Sequence, residues 1–186
     1  MRYKAGLETR DRILDATRRL IAEAGLEGTT IKAICDRADV LPGSFYNLFD
    51  SKEQAIVTIV REAIEAVDPD PEHLGKDTLA ALVEAYIVFI TEQSDLAGVY
   101  IAIAVSGTRN NPDLRERFLR HHEKRVTRFA AAIEREHPEI EAGARSRRAE
   151  TLVSALNGIA LHRVLDPRFD AAGHSRALLN GALIPL

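Results

Sequence analysis

The chain has 186 residues, a formal net charge of −3 and one cysteine, which excludes an internal disulfide. Its length allows one domain, or a small domain joined to a larger one, with a proper hydrophobic core. The first thirty residues lack a secretory signal pattern, and the longest mostly apolar run, 96–105, is about half of a membrane span, so we expect a cytoplasmic protein with no membrane partner.

Helices are predicted throughout the first half of the chain. Apolar residues recur at helical spacing in 13–24 and again in 31–38. Gly25 is expected to close the first helix, and 28–30 to open the second. The stretch 50–53 offers an aspartate carboxylate as N-cap, followed three residues later by a glutamate.

A proline-rich break at 68–72 is expected to separate two domains, because X-Pro steps disfavour helix at the preceding residue. The stretch 99–105 alternates like a strand, but no hairpin partner lies nearby, and we interpret it as part of a buried helix. The expected fold is therefore all-α, with about nine helices in total. The helices predicted after the break lie near 77–94, 96–106, 112–136, 142–165 and 171–182.

Residues 28–53 have the proportions of a helix-turn-helix: a two-turn amphipathic helix, a tight turn and a second short helix. The first residues of a recognition helix dock in the major groove, where small side chains permit close approach. Hydroxyls, cations and helix N-termini beside it bind phosphates. The residues expected to bind DNA are Thr29, Thr30, Lys32, Pro42, Gly43, Ser44, Tyr46, Asn47 and Lys52.

These residues have different expected roles. Tyr46 and Lys52 should anchor phosphates, whereas Asn47 can reach a base edge or a phosphate, and Ser44 is the other candidate to read a base. Residues 1–54 contain nine Lys or Arg and nine Asp or Glu residues. Bulk charge therefore does not favour DNA binding, which would depend on the local arrangement of cations and backbone N–H groups.

The motif Gly28-Thr29-Thr30, the apolar helix and then Gly43-x-x-Tyr46-x-x-Phe49-x-Ser51-Lys52-Glu53 resembles the DNA-binding domain of the TetR family, over about residues 8–66. The resemblance implies a three-helix DNA-binding domain at 1–50, a linking helix at 51–66 and a helical ligand-binding and dimerisation domain at 67–186. It also implies a homodimeric regulator of transcription, most simply a repressor that a small-molecule inducer releases from a palindromic operator. Activation is the alternative.

The sequence departs from this family pattern at the turn. Asp39 stands where the turn normally carries glycine, and Leu41-Pro42 stand where a hydroxyl and a cation are common. Aspartate tolerates the left-handed conformation better than most residues, so we expect the turn to form. Phosphate contacts at 41–42 are not expected.

Two surfaces are predicted in the second half. The helix 142–165 is apolar almost all round, which favours a dimer seam shared with the last helix. A cavity for an apolar or weakly polar inducer should lie among the three preceding helices, although its lining could equally be plain core. The expected dimer residues are Leu152, Leu156, Ile159, Val164, Leu178 and Leu179. The expected ligand-binding residues are Tyr86, Phe89, Tyr100, Ile103, Phe118, His122 and Phe129.

Other interpretations stay open. Residues 28–53 could be an ordinary helical hairpin, Tyr46 a packing residue, and His122 a core histidine. Cys35 lies on the apolar stripe and is interpreted as a buried small side chain. No histidines pair at i, i+4, and no nucleophile–base or phosphate-loop motif is visible, so we expect no metal site, no cofactor and no enzyme. A helical protein-interaction module is a third class.

Overall fold

The computed structural model describes residues 2–66, 68–102, 104 and 112–182. Over these residues the chain forms nine α-helices and no strand, which confirms the all-α prediction. The helices are α1 (Arg2–Gly28), α2 (Ile31–Ala38), α3 (Pro42–Tyr46), α4 (Lys52–Ala66), α5 (Leu79–Glu92), α6 (Ser94–Ala102), α7 (Pro112–Glu136), α8 (Ala142–Leu165) and α9 (Ala171–Ala182). The strand-like stretch is helical up to residue 102, as predicted.

Turn chemistry marks the start of α2 as expected. Gly25 has φ 66°, a left-handed value that interrupts α1 three residues before its end. Thr30 is the N-cap of α2, and its hydroxyl oxygen accepts a hydrogen bond of 3.1 Å from the N–H of Ala33. The residue that opens α2 is therefore Thr30.

The cap of α4 differs from the prediction by one residue. The side chain of Ser51, and not the carboxylate of Asp50, accepts the N–H of Gln54 at 3.2 Å. Gln54 in turn accepts the N–H of Asp50 at 2.5 Å through Oε1. Gln54 thus takes the role expected for Glu53 in a variant capping box, in which the N–H that it accepts belongs to Asp50, one residue before the cap Ser51.

The predicted break between α4 and α5 is confirmed for the described residues 68–78, which contain no helix. Asp70 organises this segment, because its carboxylate accepts backbone N–H groups from Leu74, Gly75 and Lys76 at 2.7–3.2 Å. These hydrogen bonds lower the pKa of Asp70. The connection is thus held in one conformation by a buried acceptor.

Two hydrophobic cores hold the helices together. The first runs from α1 through α4 and continues into α5 and α6, so that Ile13, Phe45 and Ile59 belong to the same cluster as Ile90 and Leu96. The second joins α5, α7, α8 and α9. Because the first core crosses the break, the two halves pack directly on each other. The division into separate domains stays a prediction.

Candidate nucleic-acid interface and ligand cavity

The turn between α2 and α3 forms around Asp39, which lies in the left-handed region with φ 52° and ψ 55°. Its N–H and that of Val40 both donate to the carbonyl of Cys35 and so end α2. Arg12 of α1 donates to the carbonyl of Asp39 at 3.4 Å. Aspartate therefore takes the place of the usual glycine, as expected.

Helix α3 holds its polar residues outward by burying one aromatic ring. Phe45 is fully buried, and its ring lies 5.6 Å from that of Phe49, centroid to centroid. Tyr46 is 56% exposed, and Asn47 is exposed beside it, whereas Ser44 is half-buried. Pro42 and Gly43 at the start of α3 are exposed as well. The short helix thus presents one accessible face with small residues at its amino end.

Lys52 and Thr30 lie where α1 ends and α2 begins. The ammonium of Lys52 donates to the carbonyl of Leu26 at 3.3 Å, which fixes a cation near the end of α1 and the start of α2. Thr30 is exposed, and its hydroxyl hydrogen stays available because the oxygen serves only as cap acceptor in this structure. Lys32 is exposed too, but it forms an ion pair of 2.6 Å with Asp36, which raises the pKa of Lys32.

Thr29 is not part of the accessible surface, contrary to the sequence expectation. It is fully buried, and its hydroxyl donates to the carbonyl of Gly25 at 2.7 Å. That carbonyl lies where the helical pattern of α1 is broken. Thr29 therefore stabilises the helix end, and the prediction that its side chain binds DNA is wrong. The DNA-binding roles of the other residues stay predictions.

Leu41 was not expected to contact DNA, yet it is the most exposed of the large apolar side chains described, at 77%. It occupies the N-cap position of α3 without any side-chain hydrogen bond. The signal for this in the sequence is the apolar residue at a position where Ser, Thr, Asp or Asn is preferred.

A cavity of about 570 Å³ lies among α5, α6, α7 and α8 and reaches residues just beyond the end of α4. Its walls are mostly apolar. Among the residues expected to bind ligand, Ile103 lies outside the described part of the chain. The others all line this cavity: Tyr86, Phe89, Tyr100, Phe118, His122 and Phe129. That they bind a ligand stays a prediction.

The cavity wall contains a charged residue, Arg125, that was not predicted from the sequence. Its Nη1 donates to Oδ1 of Asn157 at 2.9 Å, and its guanidinium carbon lies 4.7 Å from the ring centroid of Tyr86. Tyr86 donates to the carbonyl of Leu156 at 3.2 Å, and burial raises the pKa of its hydroxyl. Arg125 could have been found from spacing, since it follows His122 by three residues and precedes Phe129 by four on the same stripe.

The two adjacent histidines of α7 have different environments. His122 lines the cavity, and its Nε2 lies 2.8 Å from Oε1 of Glu150, which is exposed. His121 packs against the Tyr100 ring, and burial lowers its pKa to about 4. His122 thus lies in the cavity wall and contacts the exposed Glu150, whereas His121 is packed against Tyr100.

The structure corrects part of the expected dimer seam. Leu152 and Leu156 are 1% and 0% exposed within the subunit, where they belong to the second core, so neither can form an interface with another chain. Ile159, Leu178 and Leu179 are half-buried against the same core. Val164, near the end of α8, is 41% exposed.

Three further observations bear on the class of protein. Cys35 is buried, and burial raises the pKa of its thiol. Within the described ranges, no group of three His, Cys, Asp or Glu side chains is arranged to hold a metal ion. None of the helices in that same part of the chain combines the length and apolarity needed to cross a bilayer.

A family model and a solved structure are both similar to this chain. The model of the family described as "Bacterial regulatory proteins, tetR family" matches residues 13–56, which run from within α1 through α2 and α3 to the first residues of α4. Over these residues the chain is similar to the DNA-binding part of that family. The solved structure of Salmonella enterica GusR superposes with a TM-score of 0.69 at 28% identity, covering 94% of this chain and 95% of that one.

Two curated relatives are also similar to this chain. The HTH-type transcriptional repressor KstR2 of Rhodococcus jostii (strain RHA1) is 35% identical over 97 residues, which is 50% of this chain and 47% of the relative. The HTH-type transcriptional regulator UidR of Escherichia coli (strain K12) is 31% identical over 126 residues, 66% of this chain and 63% of the relative. The alignment thus spans less than two thirds of either relative.

Proposed function

We propose that the chain is a cytoplasmic transcriptional repressor that binds a palindromic operator as a homodimer and leaves it when a small molecule binds. The observation that carries the proposal is the accessible face of α3, which Phe45 anchors in the core while Tyr46 and Asn47 point away from it. The proposal assigns the chain no reaction and no cofactor.

The small residues at the start of α3 suit insertion into the major groove, which is about 12 Å wide. The exposed side of Gly43 has nothing within 4 Å of the position of a Cβ, so the backbone itself is open to a base edge or phosphate. Tyr46 supplies an exposed hydroxyl on α3, and Lys52 supplies a cation at the start of α4. The face therefore combines groove access with phosphate donors, although the segment has no excess of positive charge.

Selection of genomic DNA fragments by the full-length protein, followed by salt titration of the selected operator, tests DNA binding. Lys52→Ala should weaken binding to the selected operator and to unrelated DNA alike. It should also reduce the slope of log affinity against log salt concentration by about one unit, because one phosphate contact is lost. Lys76→Ala is the matched control, since Lys76 is exposed in the connection before α5. Failure to enrich any sequence would refute the proposal, and an equal slope in both variants would refute the role of Lys52.

The dimer surface we propose is the exposed stripe of α8. The outward residues Thr151, Ser154, Gly158, Leu161 and Leu165 recur at spacings of three and four, as in the seam of a helix pair. Leu165 is 72% exposed. Exposed small residues of α9 lie on the neighbouring helix and would complete a four-helix interface about a two-fold axis.

Sedimentation of single variants tests this surface. Leu165→Glu should yield monomers that bind a half-site weakly, whereas Leu74→Glu, at a residue 55% exposed before α5, should stay dimeric. Dimers of normal stability in Leu165→Glu would refute the placement. Two recognition helices in the dimer should then contact half-sites about 34–36 Å apart.

Release by a small molecule would depend on contact between the cavity and α4. Ile64 of α4 and the adjoining Asp68 line the cavity, and Asp68 is held by Arg128 of α7. A ligand that moves α7 therefore acts on the end of α4 whose other end carries the recognition helix. Such a ligand shifts DNA binding only by its difference in affinity for the two arrangements.

A further inference from the structure

Within the described part of the chain, Arg125 is a cation without an anionic partner, inside a mostly apolar cavity. Its Nη1 is satisfied by Asn157, but its Nη2 is buried and has no hydrogen-bond partner among the residues that the structure describes. Among the described residues, no carboxylate lies within ion-pair distance of Arg125. A buried donor and a desolvated charge are both costly when they are left unpaired, so the site favours an anion that supplies the missing acceptor.

Apart from Arg115, the other charged groups of the cavity that the structure describes already have partners. Arg128 is paired with Asp68 and Asp77, and His122 lies beside Glu150. Asp68 is thus occupied and does not neutralise Arg125. Among the described residues that line the cavity, Arg125 is the half-buried cation without a carboxylate partner, whereas Arg115 is exposed.

The remainder of the wall suits an apolar body. Phe89, Phe118 and Phe129 line the cavity together with aliphatic side chains, and the volume of about 570 Å³ lies within the usual range for small-molecule sites. An apolar group placed there would remove these rings from water. The same molecule would need one acceptor group at the end that meets Arg125.

We infer that the cavity binds an amphipathic monoanion, with an acyl or aryl body among the phenylalanines and one carboxylate that accepts a hydrogen bond from Nη2 of Arg125. The guanidinium matches a planar carboxylate in shape and charge. This inference rests on the proposed release by a small molecule, and it replaces the sequence expectation of an apolar or weakly polar inducer.

Matched probes test the inference on the full-length protein by calorimetry and thermal shift. The probes are octanoate against 1-octanol, 2-naphthoate against 2-naphthol, and acetate as a charge without a body. At least one carboxylate should bind at least about tenfold more tightly than its alcohol, as expected for a charged hydrogen bond, and acetate should bind far more weakly. Equal affinity for acid and alcohol in both pairs, or no binding by either acid, overturns the inference.

Arg125→Met should bring the affinity for the carboxylate down to that for the alcohol while alcohol binding is retained. Arg120→Met is the matched control, because Arg120 lies exposed on the same helix and pairs with Glu116. If Arg125→Met does not fold, Arg125→Gln keeps a donor for Asn157 and removes the charge. A preference for carboxylate that survives loss of the Arg125 charge, or that disappears only in Arg115→Met, overturns the assignment.

The operator assay separates this inference from the proposed function. Operator binding that persists in a protein with no preference for carboxylates refutes the inference and leaves the proposed DNA binding intact. Carboxylate binding at Arg125 that never releases the operator supports the ligand class and refutes the proposed release. Absence of any selected operator refutes the proposed function, whatever the calorimetry shows.

Discussion

Replacing Arg128 by methionine should destabilise the protein strongly. Arg128 of α7 donates to the carboxylate of Asp68 at 2.8 Å through Nη1, and it also bonds Asp77, whose side chain is only 2% exposed. Asp68 follows α4 and Asp77 precedes α5. The guanidinium of Arg128, which lies in the cavity wall, thus contacts both ends of the segment that connects α4 to α5.

The expected loss of stability in Arg128→Met depends on the interactions that Asp68 and Asp77 keep. Removal of one partner from a buried ion pair costs about 3–5 kcal/mol, because the other charge is left unpaired. Asp77 would still lie near Arg135, and Asp68 would still accept the N–H of Asp70. We therefore expect the lower end of that range, about 3 kcal/mol, which corresponds to a fall in Tm of about 6–12 °C for a protein of this size.

Urea unfolding at a fixed protein concentration measures the loss. The control is Arg120→Met, which removes an exposed ion pair on the same helix and should cost less than about 1 kcal/mol. The hydrogen bond from Arg128 also lowers the pKa of Asp68 below its ordinary value of 3.8. The stabilisation is therefore present above that value and lost as the pH falls below it, so wild type and variant should converge in acid. A cost equal to that of the control at neutral pH would refute the reasoning.

Three other predictions concern the fold. Asp39→Gly should be more stable than Asp39→Ala by about 1 kcal/mol in urea, because φ is 52° there; an alanine variant of equal stability would contradict a strained turn. Leu156→Ala should cost about 2–5 kcal/mol by loss of core packing, and a change of less than about 1 kcal/mol would place this side chain outside the core. Burial of neutral His121 lowers its pKa from 6.5 to about 4, so the unfolded chain binds more protons and stability should fall as the pH drops through that window. His121→Gln should flatten this part of the profile relative to wild type, and identical profiles would contradict the assignment.

Helix positions could be predicted because their information is local. Apolar spacing and cap residues placed every helix of the second half close to its observed range, and the tolerance of aspartate for the left-handed region predicted the turn at Asp39 correctly. The exposure of individual side chains was harder to predict than the helix positions. Thr29 and Thr30 are neighbours of one residue type, and only the observed start of α2 shows that Thr30 is the cap while Thr29 turns inward to Gly25.

The second half shows why contact partners are harder to predict than helices. The sequence of α8 reveals that most of its sides are apolar, but it does not reveal which side meets the same subunit. Leu152 and Leu156 turned out to face the core, and the more weakly apolar stripe that includes Leu165 is the one left outside. Likewise, the position of Arg125 on the stripe of α7 could be read, whereas its lack of an acidic partner required the positions of α5 and α8.

The length of α4 determines how far its amino end would move if a ligand tilted the helix at the cavity. Its 15 residues extend about 22 Å, from the cavity to the capping box beside α3. Its inward residues, such as Ile56 and Ile59, are completely buried in the core shared with α1–α3, so a shift of its amino end would act directly on these three helices. A tilt of about 5° around the cavity end would move the amino end of α4 by about 2 Å. Since hydrogen bonds to bases tolerate only a few tenths of an ångström, a displacement of this size would be enough to break a base contact in the proposed complex with DNA.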